Sequence, residues 1–325
     1  MKNNKRTKRI SKILILCLLV LTITTGCTKT LTDKKKNVVK NETTGQTLIS
    51  NILCKPTNKE SIELYKKNNV DIDKLPDCDD FKLTTGKYEG IWTTIFVKPL
   101  SFIILKIGLL TKNYAIAIIL VLLLIKLITY PITKKTMRQS QMMQEINPEI
   151  KKIQKKYEGR QDEESLSKQS QEMMMIYKKY NINPISGCLV SFIQLPIFIA
   201  FYEAVQRFPA IFEDSFLGMQ LGTTPMVGFT QKACIIYIIL MLLIAVSTFY
   251  SFKMGMSGDQ LDKNMKNMPI FMSIMIIVTA LFMPSALCIY WFFNNIFTII
   301  QNKIVKKSSN NNKSLKGSKK NYGKA

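Results

Sequence analysis

The amino-acid sequence predicts an all-α integral membrane protein: five transmembrane helices, a cytoplasmic helical hairpin and an amphipathic helix in the outer interface. Three observations predict this class. Apolar residues make up 47% of the 325-residue chain, yet 46 Lys and Arg against 22 Asp and Glu leave a net charge of +24. The two populations occupy different stretches, with charge-free runs separating basic blocks, which marks a membrane protein before a nucleic-acid binder. Histidine is absent, so the usual general base near neutral pH and the commonest neutral metal ligand are both missing. Histidine triads and zinc-dependent hydrolases are thereby excluded. No Cys-x-x-Cys occurs to suggest a metal site. No catalytic residue, metal or cofactor is expected.

The N-terminus carries Lys2, Lys5, Arg6, Lys8 and Arg9, then an apolar run from Ile13 to Ile23, then Thr24-Thr25-Gly26-Cys27. A basic head, a short apolar core and small residues describe an export signal rather than a spanning helix. Residues 1–26 resemble a lipoprotein signal peptide with Cys27 as the acylated residue, although Thr24 stands where such boxes carry Leu. Residues 27–90 are polar and nearly charge-balanced, a composition without material for a large core. They read as an extracellular tether. Cys54 and Cys78 both fall in this exported stretch, where oxidation is chemically permitted; their spacing leaves a disulfide open. Cys188, Cys234 and Cys288 sit singly in apolar runs, the ordinary place for a small hydrophobe.

Five spans follow from the long apolar runs, the first carrying Lys126 as its single charge, each judged against the ~20 residues that cross a bilayer. They are 113–133, 184–205, 232–252, 268–283 and 286–304. The last two come from one run, Met268–Asn302, too long for one span and broken at Met283-Pro284-Ser285. Residues 91–111 are apolar but interrupted by Lys98-Pro99 and Lys106. Parity assigns them. With five spans starting outside, 134–183, 253–267 and 303–325 face the cytoplasm. The tail from Lys303 holds eight lysines and no acid, whereas the outside loop 206–231 has Arg207 as its single basic residue, in keeping with the positive-inside rule. A sixth span would turn the basic segments outward. Residues 91–111 therefore read as an interfacial helix, 112–305 as the five-span core and 306–325 as a basic cytoplasmic tail.

Within 134–183, Met143, Ile146, Ile150, Ile153 and Tyr157 recur at three and four residues; Leu166, Met173, Tyr177 and Tyr180 resume the pattern after Gly159. Two amphipathic helices turning near Glu158-Gly159-Arg160 would pair as an antiparallel hairpin, with Pro148 kinking or starting the first. The hairpin either ties two spans together or, through Met142, Met143, Met173, Met174 and Met175, offers an adaptable apolar arm to clients.

Lys126 is the single charge in its span. A central lysine costs about 2.5–3.5 kcal/mol on insertion scales, so it should face a wet cavity or a partner; its stem is also long enough to snorkel partway to the cytoplasmic edge. Gln194, Tyr290, Asn294, Asn295 and Gln301 are polar groups on other spans able to surround it, in a hydrated, positively charged pocket.

Short motifs then become specific. Lys126-Leu-Ile-Thr-Tyr-Pro131, Asn183-Pro184-Ile-Ser-Gly187-Cys188, Ile193-Gln194-Leu195-Pro196-Ile197, Phe201-Tyr202 and Tyr290-Trp291, followed by Asn295 and Gln301, stand in one order. The chain resembles, over roughly 90–305, the YidC/Oxa/Alb membrane protein insertases, and in particular their Gram-positive lipoprotein form. The resemblance implies five spans around a hydrophilic groove open to cytoplasm and lipid. Its substrate-groove residues would be Lys126, Gln194, Tyr290, Trp291, Asn295 and Gln301. Lys126 stands where the family carries Arg, keeping charge but losing the bidentate fork; Pro284-Ser285-Ala286-Leu287 replaces the family's Pro-x-Gly-Leu. Expected partners are nascent membrane proteins, the lipid bilayer, the Sec translocon and, through the Lys-rich tail, the ribosome. A small solute channel or transporter subunit is the competing reading. Such proteins usually carry an internal repeat, which this chain lacks.

Overall fold

A computed structural model describes residues 28–160, 162–183, 186–256 and 268–321. The expected signal peptide, the expected acylation position Cys27 and the last four residues lie outside that range. In chain order the helices are α1 (Lys59–Lys67), α2 (Lys98–Thr111), α3 (Tyr114–Lys156), α4 (Glu163–Lys179), α5 (Ser186–Arg207), α6 (Pro209–Glu213), α7 (Pro225–Gly228), α8 (Cys234–Met256), α9 (Met268–Leu281) and α10 (Ser285–Asn321). A two-stranded hairpin, β1 (Ser215–Phe216) with β2 (Met219–Gln220), interrupts the segment between α5 and α8.

Each of the five expected spans is helical in its described residues, as α3, α5, α8, α9 and α10. By length and composition, three stretches among the described residues are able to cross a membrane: Thr93–Thr111, Tyr114–Lys156 and Cys234–Gly255. α9, at 14 residues, rises only about 21 Å. Pro284 separates α9 from α10 at the expected break, since proline disfavours helix in the residue before it. The asparagines and glutamine of α10 make that helix more polar than its neighbours.

α3 differs from expectation in its length. It runs 43 residues without a break, through Pro131 and Pro148, so the first hairpin helix continues the expected first span. Threonines flank the first proline: Thr129 Oγ1 donates to the Ile125 carbonyl at 2.8 Å, and Thr133 Oγ1 to Tyr130 at 3.1 Å. Such back-bonding is common for threonine within a helix and can bend it slightly, beside a proline that supplies no donor.

The chain divides into two units. One comprises the chain up to Leu123 with Phe192–Ile244 and Ile277–Trp291; the other comprises Leu124–Ser191, Ala245–Ile276 and the chain from Phe292.

In the first unit, residues 28–90 are packed rather than tether-like. Leu31, Leu48, Ile49, Ile52, Tyr65 and Ile72 form a buried cluster. α1 is capped by the Asn58 side chain, which accepts from the Glu60 amide at 2.9 Å, and it has Glu60 in its first turn and Lys66 and Lys67 in its last, the arrangement its dipole favours. Cys54 and Cys78 are joined as a disulfide. The small core is completed by distant chain: Phe81 meets Phe208 edge-on at 4.8 Å, the Leu53 amide donates to the Arg207 carbonyl at 2.9 Å, and Glu213 accepts from the Thr57 and Asn58 amides at 2.8 and 3.1 Å. Composition averaged over 27–90 misses this, because part of the core arrives from beyond residue 200.

The stretch from Trp92 to Asn113 is helical almost throughout, a turn of π-helix at Thr93–Val97 leading into α2. Both its ends are held by one short segment. Trp92 Nε1 donates to Glu203 at 2.8 Å, and Asn113 Nδ2 donates to the Ser215 carbonyl at 3.1 Å. Two of its three lysines reach the 79–85 strip: Lys98 Nζ donates to the Thr85 carbonyl at 2.6 Å, Lys106 Nζ to the Asp79 carbonyl at 3.2 Å. Gly108 permits the turn into α3, because a Cβ there would lie 2.3 Å from the Tyr114 ring.

In the second unit, the lower half of α3 pairs with α4. Ile146, Ile150 and Ile182 form the buried seam, with Met143, Met173, Ile176, Tyr177 and Tyr180 against it. Gly159 takes φ 82° in the turn, a left-handed conformation that costs glycine little. Asp162 caps α4, accepting from the Ser165 amide at 2.8 Å. Lys156 pairs with Glu172 at 2.6 Å and Lys179 with Glu149 at 3.4 Å. The methionines split: Met143 and Met173 pack inward, whereas Met142 and Met175 are exposed, as is Leu166, expected in the seam.

Candidate functional site

The six residues expected to line a groove fall into two groups, one in each unit.

Lys126, Asn295 and Gln301 belong to the second unit, together with residues the sequence did not single out. Lys126 is 8% exposed, on a helix apolar enough to cross a membrane. Its ammonium donates to Thr298 Oγ1 on α10 at 3.1 Å, and Thr298 Oγ1 donates in turn to the Asn294 carbonyl at 2.7 Å. Gln301 does not reach the ammonium: its Nε2 donates to the Lys126 main-chain carbonyl at 3.1 Å, fastening α10 to the backbone of α3. Asn295 turns to α8, donating to Thr248 Oγ1 at 2.8 Å and to Ser247 Oγ at 3.3 Å. Asn294, Thr298 and Gln301 are spaced four and three apart, one face of a helix; that spacing was the available signal for Thr298. Ser247 and Thr248 had none, because they are small polar residues in an otherwise apolar run. Two buried amide oxygens, Asn294 Oδ1 and Gln301 Oε1, have no hydrogen-bond partner among the described residues.

Gln194, Tyr290 and Trp291 belong to the first unit. Gln194 Nε2 donates to the Tyr290 hydroxyl at 2.5 Å. Tyr290 is buried, with Phe201 at 4.5 Å and Phe198 at 5.9 Å between ring centroids. Trp291 meets Phe198 edge-on at 5.1 Å. Here one amide satisfies a buried phenol inside an aromatic cluster, the arrangement expected of a tyrosine placed in apolar surroundings.

A further buried ionic cluster was not anticipated. Arg207, counted in the sequence only as a loop cation, is fully buried. Its Nη2 lies 2.6 Å from Glu89 and its Nη1 4.0 Å from Glu203, while Nε donates to the Asn51 carbonyl at 2.9 Å. Beside it Gln46 Nε2 donates to Gln206 at 2.9 Å. The cluster ties residues 46–92 to the end of α5.

Neither group contains a nucleophile paired with a base, and no set of three or more acidic or cysteine side chains suited to a metal occurs among the described residues. What Lys126 and the polar face of α10 can do is solvate: they place a cation, hydroxyls and amides inside apolar helices.

The family model described as 60Kd inner membrane protein matches residues 106–313. The chain is 38% identical over 231 residues to the membrane protein insertase YidC of Oceanobacillus iheyensis, covering 69% of this chain and 86% of that one. It is 38% identical over 224 residues to the membrane protein insertase MisCA of Bacillus subtilis, covering 68% and 82%. Among solved structures it is similar to an active YidC insertase with the first transmembrane domain resolved: TM-score 0.50, 23% identity, 76% of this chain and 50% of that one. The chain thus spans half the length of that structure, a likeness that speaks for the fold.

Proposed function

This chain belongs to the YidC/Oxa/Alb family of membrane protein insertases, and we propose that it inserts clients by offering their polar termini a hydrated, cationic path around Lys126. It is a bacterial membrane protein and an insertase; the route through it is our reading. The carrying observation is a buried lysine whose ammonium rests on a hydroxyl, Thr298, within apolar helices. A hydroxyl solvates a cation without cancelling its charge. The buried amide oxygens of Asn294 and Gln301 add to the polarity, and a hydrated environment satisfies such atoms.

A client's exported end, carrying acidic or polar groups, meets this path from the cytoplasm. Water and Lys126 lower the cost of bringing those groups toward mid-membrane. The short α9 supports local bilayer thinning, which shortens the crossing. The client's apolar segment then passes into lipid, where burial of its side chains completes insertion. No covalent step is needed.

The proposed topology has five spans, α3, α5, α8, α9 and α10, with the N-terminus outside and lipid-anchored at Cys27 and the C-terminus in the cytoplasm. Residues 92–113 lie in the outer interface. A helix of about 30 Å whose two ends bond Glu203 and Ser215, twelve residues apart in the chain, is better accommodated along the membrane than across it. Beside nascent membrane proteins, partners in this reading are the Sec translocon for larger clients and ribosomal RNA for the Lys-rich tail. The test is rescue of a strain depleted of its own insertases, with Lys126→Ala and Lys126→Arg beside the parent chain. Small acidic-tailed clients should insert with the parent and with Lys126→Arg, and fail with Lys126→Ala; full rescue by Lys126→Ala overturns the cationic path.

A further inference from the structure

The segment between α5 and α8 carries a feature that insertion does not use. In its hairpin Ser215 pairs with Gln220 and Phe216 with Met219, joined by Leu217 and Gly218. Both joining residues have positive φ, 53° and 80°, as a two-residue hairpin turn requires. Glycine suits that conformation; leucine does not, because its Cβ crowds the backbone there, and Asn or Asp is the usual occupant. Nor does Leu217 gain burial in return, for it is 71% exposed.

The place of the hairpin accounts for the choice. Its base is fixed to the start of α3: Asp214 accepts from the Tyr114 amide at 2.7 Å, and Ser215 accepts from Asn113. Its tip lies along the start of α8, since a Cβ on Gly218 would be 3.9 Å from Ile236 Cδ1. These are the first turns of two helices long and apolar enough to span a membrane, and both already turn apolar side chains outward, Ile116 and Ile235. Leu110, at the end of α2, is 83% exposed. Lysines precede both helices by two residues, Lys112 and Lys232, at the level where ammonium groups reach lipid phosphates.

We propose that Leu217 is a membrane wedge: the hairpin tip buries it among the acyl chains of the outer leaflet, with Lys112 and Lys232 at the phosphate level. The inference rests on the spans and orientation proposed above. Lipid is the occupant because the wedge continues a surface that α3 and α8 already present to it.

The experiment uses the full chain in liposomes carrying Leu217→Trp, read as the emission added to that of Trp92 and Trp291. The added emission should be lost to lipids brominated near the headgroup, less to lipids brominated near the chain end, and should resist aqueous iodide. Quenching by iodide and by neither lipid overturns the wedge and leaves the tip in water or against a protein. A fluorophore on Leu217→Cys gives the same reading if indole disturbs the turn. Orientation is tested separately, by labelling Thr230→Cys with an impermeant maleimide on intact cells, against the parent chain as background. Labelling only after lysis overturns the outward orientation, to which lipid quenching is blind; the two failures are therefore distinct.

Discussion

Two of the buried cations, Arg207 and Lys126, stand in contrasting surroundings. Arg207 is enclosed by carboxylates and a backbone carbonyl, Glu89, Glu203 and Asn51, and every one of those contacts ties the N-terminal module to α5 or braces the end of that helix. Lys126 rests on the hydroxyl of Thr298, a neutral group that holds the ammonium in place. Paired with acids, a buried charge becomes a fastener, because separating it strands charge out of water. In the proposed path, a lysine held by a hydroxyl is the one that attracts the groups a client brings. The side chains differ accordingly: Arg207 bonds two acceptors with its planar fork, Glu89 and the Asn51 carbonyl, whereas Lys126 presents a compact point charge.

The contrast breaks most directly at Arg207. Arg207→Ala should destabilise the first unit by about 3 kcal/mol, the lower end for a buried pair because Glu89 remains partly exposed; thermal unfolding and protease resistance of residues 28–90 measure it. If the loss is negligible, the cluster is no fastener. Next is the disulfide. Closing a loop of 24 residues contributes roughly 3 kcal/mol through the unfolded state, so Cys54→Ser with Cys78→Ser should loosen the same module to hydrogen exchange and leave the exchange of 137–182 unchanged.

Lys126→Ala sharpens the other side. A charge-assisted contact is worth about 1.5–3 kcal/mol, so client insertion should slow about tenfold or more, while thermal stability holds or rises because a costly central lysine is gone. A fold that collapses instead would make Lys126 a second fastener. Asn295→Ala, which removes the bonds to Ser247 and Thr248, should cost about 1 kcal/mol, seen as a modest fall in melting temperature.

The smallest effect lies in the hairpin. The Tyr180 hydroxyl, and then Lys179, hold Glu149 below its ordinary pKa, while Lys156 and Tyr157 do the same for Glu172. Carboxyls depressed in the folded state contribute stability above their unfolded pKa, and it is lost as pH falls through the folded values. Acidification below the usual carboxylate range should therefore raise hydrogen exchange in 137–182, and neutral to mildly alkaline pH should leave it unchanged.

Some of the site was legible for a simple reason. A lone lysine in an apolar run is conspicuous because desolvation makes it expensive, and periodic methionines and isoleucines announce a hairpin because helices repeat at 3.6 residues. Thr298, Ser247 and Thr248 were not, since small hydroxyl residues are tolerated in apolar helices whether or not they bind anything. Gln194 and Gln301 stand out in the sequence as polar groups, but their targets, the Tyr290 hydroxyl and the Lys126 carbonyl, depend on which helix faces which. The N-terminal module was the largest departure. Its own composition has too few hydrophobes, and the partners that complete it, Phe208, Glu213 and Arg207, lie more than a hundred residues away.

The sequence by itself determined the membrane class, the helical runs, the cationic position and the family, because charge segregation, run length and short motifs are properties of neighbours along the chain. Only the tertiary structure decided that residues 28–90 pack, that α3 continues unbroken into the hairpin, and that Arg207 is locked while Lys126 sits on a hydroxyl. Those outcomes depend on contacts across long sequence separations, where burial and hydrogen-bond geometry choose among partners that composition leaves equivalent.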